Sequence, residues 1–209
     1  MKSIRLDGKE IYPSKIVCIG LNYVEHIKEL ENEVPKEPVF FLKPNSSIAC
    51  GIHSSQPDLI HYEGEISFLV KSGELSAVGF GLDLTKRTLQ SKLKAAGLPW
   101  ERSKAFDQSA VFSEFVTFNG NINDLRMELY INRVLVQQGG YDLMLNKPID
   151  MLNEAKSFLS FEDGDVLMSG TPKGVGPVKP GDAFAGKIFE KEKLVVEGFW
   201  VVKNDDNNE

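Results

Sequence analysis

The stretch Tyr62-Glu63-Gly64-Glu65-Ile66-Ser67-Phe68-Leu69-Val70 sets two carboxylates at the head of an apolar run. Side chains alternate along a strand, so Glu63 and Glu65 fall on one face with Cα atoms about 7 Å apart. The apolar residues behind them predict a largely buried strand. Two like charges on such a face are costly unless a cation or a basic group compensates them. Taken alone, Glu-x-Glu also suits the solvent-facing edge of an ordinary strand. The next apolar run, residues 77–82, leads straight into Asp83, which reads either as a helix N-cap or as a third acid of the same site. Three acids from two strands make a hard oxygen site suited to Mg²⁺ or another divalent cation. No Cys/His spacing supports structural zinc.

Outward from this pair, short strand-like runs separated by turn signals dominate the chain: residues 15–20, 39–43, 111–118, 125–132, 134–138, 165–169, 183–189 and 194–202. Helical spacing occurs in three segments, 23–30, 84–96 and 149–159. Asn22 reads as the cap of the first of these, with Glu25 three positions on. Strands spread from one end of the sequence to the other, with no repeat and no linker. This predicts a mainly β protein with α elements (α+β): a mixed or antiparallel sheet assembly folded as a sandwich or roll, with helices on its rim. One domain over residues 1–203 and a disordered acidic tail at 204–209 complete the expectation.

With 24 Lys+Arg against 30 Asp+Glu the net charge is −6, which argues against a nucleic acid partner. The apolar runs are far shorter than the roughly 20 residues that span a bilayer, and the first residues lack the apolar stretch of a secretory signal. The two cysteines, Cys18 and Cys50, read as buried free thiols of a reducing compartment, so a cytoplasmic protein is expected.

Three further groups bear on chemistry. His26 and Glu29, three apart on a short helix, share a face, and a carboxylate beside an imidazole orients it as a base. Lys104 lies in the loop-like segment Arg102-Ser103-Lys104-Ala105-Phe106-Asp107. Gly170-Thr171-Pro172-Lys173-Gly174-Val175-Gly176-Pro177 is a glycine-rich loop whose backbone N–H groups suit an anion, though it is not a P-loop.

Together these stretches resemble the fumarylacetoacetate hydrolase family. Residues 15–23 with His26 and Glu29, Phe41-Leu42-Lys43-Pro44, Tyr62-Glu63-Gly64-Glu65, Asp83-Leu84-Thr85-Lys86-Arg87 with Gln90, Gly97-Leu98-Pro99-Trp100, Lys104-Ala105-Phe106-Asp107 and residues 170–177 carry the resemblance in order. It is closest to the short single-domain members: the acylpyruvase/oxaloacetate decarboxylase type and the isomerase/decarboxylases of aromatic catabolism. The resemblance implies a mixed β-sandwich roll, a homodimer, and Mg²⁺ or Mn²⁺ held by Glu63, Glu65 and Asp83 with Lys104 beside it. It further implies substrate contacts from Arg87, Gln90 and Thr171, and a lid segment bearing the His26–Glu29 pair. Thr88 and the segment 139–146 depart from the family pattern and bear on substrate choice.

The expected activity is hydrolysis of the C–C bond of a 2,4-dioxo (acylpyruvate-type) acid through a metal-stabilised enolate, with His26 and Glu29 activating water. The alternative keeps the enolate but omits water attack: decarboxylation or isomerisation of an oxaloacetate-like or 2-hydroxydienedioate substrate. A non-catalytic metal-binding protein is a third reading, against which the retained His26, Glu29 and Lys104 speak.

Overall fold

The computed structural model describes residues 1–54 and 59–203; the expected tail at 204–209 lies outside the described residues. The largest sheet has the order Val39–Pro44, Lys15–Gly20, Val166–Met168, Gly64–Lys71, Glu74–Asp83, Ala110–Phe112, Ile48–Ala49, with Val116–Thr117 also pairing to Glu74–Asp83. It is mixed, because Val166–Met168 runs parallel to Lys15–Gly20 and Ala110–Phe112 parallel to Ile48–Ala49. A second, antiparallel sheet of four strands, Val134–Gly140, Leu125–Ile131, Ala183–Glu190 and Lys193–Val201, packs against it. The expected mainly β sandwich roll forms.

Strand Gly64–Lys71 sits in the middle of the large sheet, which explains why its sequence is an unbroken apolar run rather than an alternation. Ile66, Phe68 and Val70 face the four-stranded sheet and pack with Phe80, Leu82, Met127, Leu129 and Phe184. Leu69 faces the other way, into a smaller cluster with Ile16, Cys18 and Met168. Gly64 belongs to the first set: a Cβ there would lie 2.9 Å from the Met127 side chain and 3.0 Å from Phe80. The glycine between the two glutamates therefore lets the sheets approach while its neighbours turn to the opposite face.

Several local expectations are corrected. The run 62–70 is two strands, Ile60–Tyr62 and Gly64–Lys71, divided at Glu63 because the first pairs with Thr85–Lys86 and Gly176–Pro177 and the second with Glu74–Asp83. The run 111–118 likewise divides into Ala110–Phe112 and Val116–Thr117. Helix α1, Val24–Glu29, has Tyr23 at its N-cap with no side-chain cap bond. Asn22 instead bridges distant segments, donating to the carbonyls of Asn146 (3.0 Å) and Ser169 (2.9 Å) and accepting from the Asn146 N–H (2.7 Å). Helix α2 is Arg87–Ala95, because residues 85–86 extend a sheet, so Asp83 ends a strand and caps no helix. A short helix α3, Glu101–Lys104, occupies the segment read as a loop, and α4 is Pro148–Lys156. Both cysteines are free, but Cys50 is exposed and only Cys18 is buried. No helix among the described residues is long and apolar enough to cross a membrane.

The parallel pair Lys15–Gly20 and Val166–Met168 is pinned at its start by Asp165. Its buried carboxylate accepts from the Ser14 N–H and hydroxyl (both 2.8 Å), the Lys15 N–H (3.1 Å) and the Glu162 N–H (2.9 Å), and pairs with the Lys15 ammonium. Burial opposes ionisation here, but the bonds from Lys15, Glu162 and Ser14 outweigh it and hold the carboxyl below the usual range. A depressed carboxylate pKa contributes stability that is present above the unfolded value near 4 and is lost as pH falls through the folded value. Asp165→Asn is therefore expected to lower unfolding free energy by about 3 kcal/mol at neutral pH, with a deficit that shrinks below about pH 4. Urea titrations of both proteins at the two pH values check this; an undiminished gap in acid contradicts it.

Candidate metal centre and active site

The strand register builds the acid cluster. Gly64 pairs with Leu82 and Glu65 with Gly81, which sets Glu63 across from Asp83; the Asp83 N–H donates to the Glu63 carbonyl at 2.9 Å. One oxygen from each of Glu63, Glu65 and Asp83 lies within 4.8 Å of the others, and all three residues are buried. Like charges opposite one another on neighbouring strands are destabilising, and here they are also desolvated. Burial, then the charges of Asp83 and Glu63, push the Glu65 carboxyl well above the usual carboxylate range.

Three cations balance the three acids. Lys104, at the C-terminal end of α3, donates to Glu63 Oε2 (2.8 Å), Asp83 Oδ2 (2.6 Å) and Thr85 Oγ1 (2.6 Å). Burial works against its ammonium, but Asp83 and Glu63 outweigh burial and raise its pKa. Arg87, at the start of α2, pairs with Glu63 Oε1. Burial also works against the charge of Glu63, yet Lys104, Arg87 and His26 overcome it and hold this carboxyl far below its ordinary value. The third cation is Lys43, which is fully buried. Its Nζ lies 2.8 Å from Asp83 Oδ1 and bonds to the carbonyl of Lys104.

Residues of this chain fit a hard divalent cation. The donor set is all oxygen, and Asp83 Oδ1, although close to Lys43, is buried without a hydrogen-bond partner. Carboxylate oxygens gathered within 4.8 Å of one another suit Mg²⁺ or Mn²⁺ rather than a softer metal.

The expected dyad also forms. His26 Nδ1 is 3.0 Å from Glu29 Oε2, and His26 is buried while Glu29 reaches solvent. Glu29 Oε1 in turn accepts from the Gly174 N–H at 2.9 Å. Gly174 has φ +98°, and a Cβ there would lie 2.1 Å from the Val136 carbonyl oxygen, so only glycine presents this N–H. At the other end of the same loop the Gly170 N–H donates to Glu65 Oε2 at 2.7 Å. Two N–H groups of the loop thus meet carboxylates of the protein itself.

The remaining expected residues lie close by. Gln90 Oε1 accepts from Arg87 at 2.6 Å. The Thr171 hydroxyl donates to the Gly64 carbonyl at 2.9 Å and accepts from Gln137 Nε2 at 2.9 Å, so its one proton is already engaged. Gln137 closes the ring by accepting from the Gly64 N–H at 2.9 Å. Sequence reasoning did not place Gln137, Asn22 or Lys43 at the site. In Val39–Pro44 Lys43 is buried while Leu42 is 41% exposed, the reverse of what hydropathy dictates, so hydropathy alone misplaces it.

Comparison with known proteins agrees with this architecture. The model of the fumarylacetoacetate (FAA) hydrolase C-terminal region matches residues 15–199. Oxaloacetate tautomerase YcgM of Escherichia coli is 37% identical over 191 residues, covering 82% of this chain and 87% of that protein. The mitochondrial oxaloacetate decarboxylase of Dictyostelium discoideum is 36% identical over 188 residues, covering 80% and 85%. A crystal structure from Oleispira antarctica, assigned to the fumarylacetoacetate isomerase/hydrolases, superposes with a TM-score of 0.89 at 34% identity, covering 97% of this chain and 100% of that one. A family match over most of the sequence, and a fold that builds the acid cluster at the matched strands, lead to one conclusion: the chain belongs to the fumarylacetoacetate hydrolase family.

Proposed function

We propose that this enzyme acts on an oxaloacetate-like 2-oxo dicarboxylate through its enolate, by keto–enol isomerisation or decarboxylation, with Glu63, Glu65 and Asp83 holding Mg²⁺ or Mn²⁺. The observation that carries the reading is the ammonium of Lys104, buried and wedged between Glu63 and Asp83 at the edge of the acid cluster. The tautomerase and decarboxylase relatives support this reading over hydrolysis, the first expectation from sequence.

A divalent cation held by Glu63, Glu65 and Asp83 would supply Lewis acidity toward the oxygen at C2 and two positive charges beyond the site's own balance, which would favour a dianion. Lys104 holds a fixed positive charge where negative charge grows on that oxygen, in a site shielded from water. His26 moves the proton. With Nδ1–H donating to Glu29, Nε2 keeps its lone pair, takes a proton from C3 and returns it to the oxygen at C2; the reverse transfer regenerates the ketone. In decarboxylation the C3–C4 bond breaks instead, its electron pair passes into the C2 carbonyl as the enolate, and His26, having taken a proton from water, delivers it to C3 in place of the departed carbon dioxide. Arg87 and Gln90, beside Glu63, orient the substrate.

One observation favours the second reading, hydrolysis of a 2,4-dioxo acid. An open groove of about 680 Å³, lined by Glu29, Gln137, Lys173 and Gly174 among others, reaches the Glu29 side of the dyad and offers room for an acyl group.

Two measurements test the proposal. Oxaloacetate enolisation and decarboxylation, followed beside acetylpyruvate cleavage in Mg²⁺, are expected to give the larger kcat/KM for oxaloacetate; faster cleavage of acetylpyruvate would transfer the assignment to hydrolysis. His26→Ala is expected to slow the oxaloacetate reaction by roughly 10² to 10⁴, the usual worth of a positioned acid/base, without changing Mg²⁺ affinity.

Glu65→Gln separates the cost of the acid cluster from its use. With its pKa raised in the fold, the Glu65 carboxyl favours folding only while protonated and opposes it once pH passes the ordinary carboxylate range. The variant is expected to be more stable than wild type by about 1 to 4 kcal/mol in chelator at neutral pH. Its Mg²⁺ and Mn²⁺ affinity, read by calorimetry, should fall at least about tenfold. Loss of stability in chelator together with unchanged metal affinity would remove Glu65 from the ligand set.

A further inference from the structure

A cavity of about 210 Å³ lies between α2 and the chain that follows α1. Arg87, Gln90, Ser91 and Lys94, spaced i, i+3, i+4 and i+7 on one face of α2, line one side, and Leu30 and Asn32 the other. Two of these residues are cations and none is acidic. Arg87 joins the cavity to the acid cluster, since one of its terminal nitrogens pairs with Glu63. Its Nε–H, buried, has no hydrogen-bond partner. Lys94 donates to Asn32 Oδ1 at 2.7 Å and stands 5.4 Å from the centroid of the Trp100 ring. Both of these partners are neutral. Burial, then the charges of Arg87 and Lys104, push the Lys94 pKa down, as expected where cations gather around more space than counter-charge.

We propose that this cavity receives the second carboxylate of a dicarboxylate substrate and that Lys94, held in place by Asn32 and Trp100, selects diacids over monoacids. A carboxylate there would satisfy the orphaned Arg87 Nε–H and give Lys94 a charged partner, and charge-assisted bonds are the strong ones. A monoacid leaves the Arg87 Nε–H without a partner and Lys94 with neutral partners only. Selection between the two classes is then a property of α2, separate from the chemistry at Lys104 and His26. The inference rests on the oxaloacetate-like reading only for the identity of the diacid.

Malate and lactate differ in the presence of that carboxylate and neither is a substrate of the proposed reaction, so their binding to the full chain in saturating Mg²⁺, read by calorimetry, is the test. Wild type is expected to prefer malate. Lys94→Met should weaken malate roughly ten- to hundredfold, the scale of one charge-assisted hydrogen bond, and leave lactate within about twofold, while Lys94→Arg restores most of the preference. For turnover, KM for oxaloacetate should rise by a similar factor and by more than kcat falls. Lys94→Gln serves if the methionine variant folds poorly. Equal weakening of both ligands, an unaffected malate affinity, or no malate preference in wild type would overturn the proposal. A Lys94-dependent malate preference without oxaloacetate turnover would sustain the cavity and sink the proposed reaction. Turnover without Lys94 dependence would do the opposite.

Discussion

Mutual repulsion among Glu63, Glu65 and Asp83 is the constraint around which the surrounding structure is arranged. Charges under 4.8 Å apart repel by roughly 3 kcal/mol per pair at an effective dielectric near 20, a large fraction of the net stability of a domain. Lys104 and Lys43 offset this from below and beside the cluster, and the two lysines are themselves joined, because Lys43 bonds to the Lys104 carbonyl. Glu65 is the acid least served by these contacts. It takes one N–H bond from Gly170, and the charges of Asp83 and Glu63 act on it more strongly than that of Lys104. The fold therefore stores at Glu65 an unmet demand for positive charge.

Legibility in the sequence followed the range of the interaction. Glu63 and Glu65 are two residues apart and His26 and Glu29 three apart, so strand and helix geometry alone put each pair on one face. Lys43, Gln137 and Asn22 reach the site through partners 34 to 147 residues away in sequence, and no local pattern encodes such a meeting. Gln137 in particular sits among ordinary strand residues, and its role emerges only once Val134–Gly140 lies against the Glu-Gly-Glu turn. Asn22 was misread for a related reason. Its spacing to Glu25 fits a capping box, but the bonds it makes to Asn146 and Ser169 belong to tertiary structure. Helix α3, four residues long, is shorter than any periodicity can reveal.

Division of labour within the site is also visible. The acids and Lys104 come from the central sheet and the short helix beside it, whereas His26 and Glu29 come from a six-residue helix whose buried side chains are His26 and Ile27. In the proposed reaction, charge stabilisation therefore rests on the scaffold and proton movement on a peripheral element. Such a layout lets related chains change the reaction by altering the periphery while the centre stays as it is.

The glycine-rich loop has a consequence for length. Its N–H groups at Gly170 and Gly174 hold Glu65 at one end and Glu29 at the other, so four residue steps of backbone span the gap between the acid cluster and the dyad. The loop acts as a ruler. An insertion or deletion between these glycines would leave His26, Glu29 and the three acids in the sequence and still change the distance between the dyad and the acid cluster. In this chain, spacing along that loop is therefore as much a part of the candidate site as the residues it measures between.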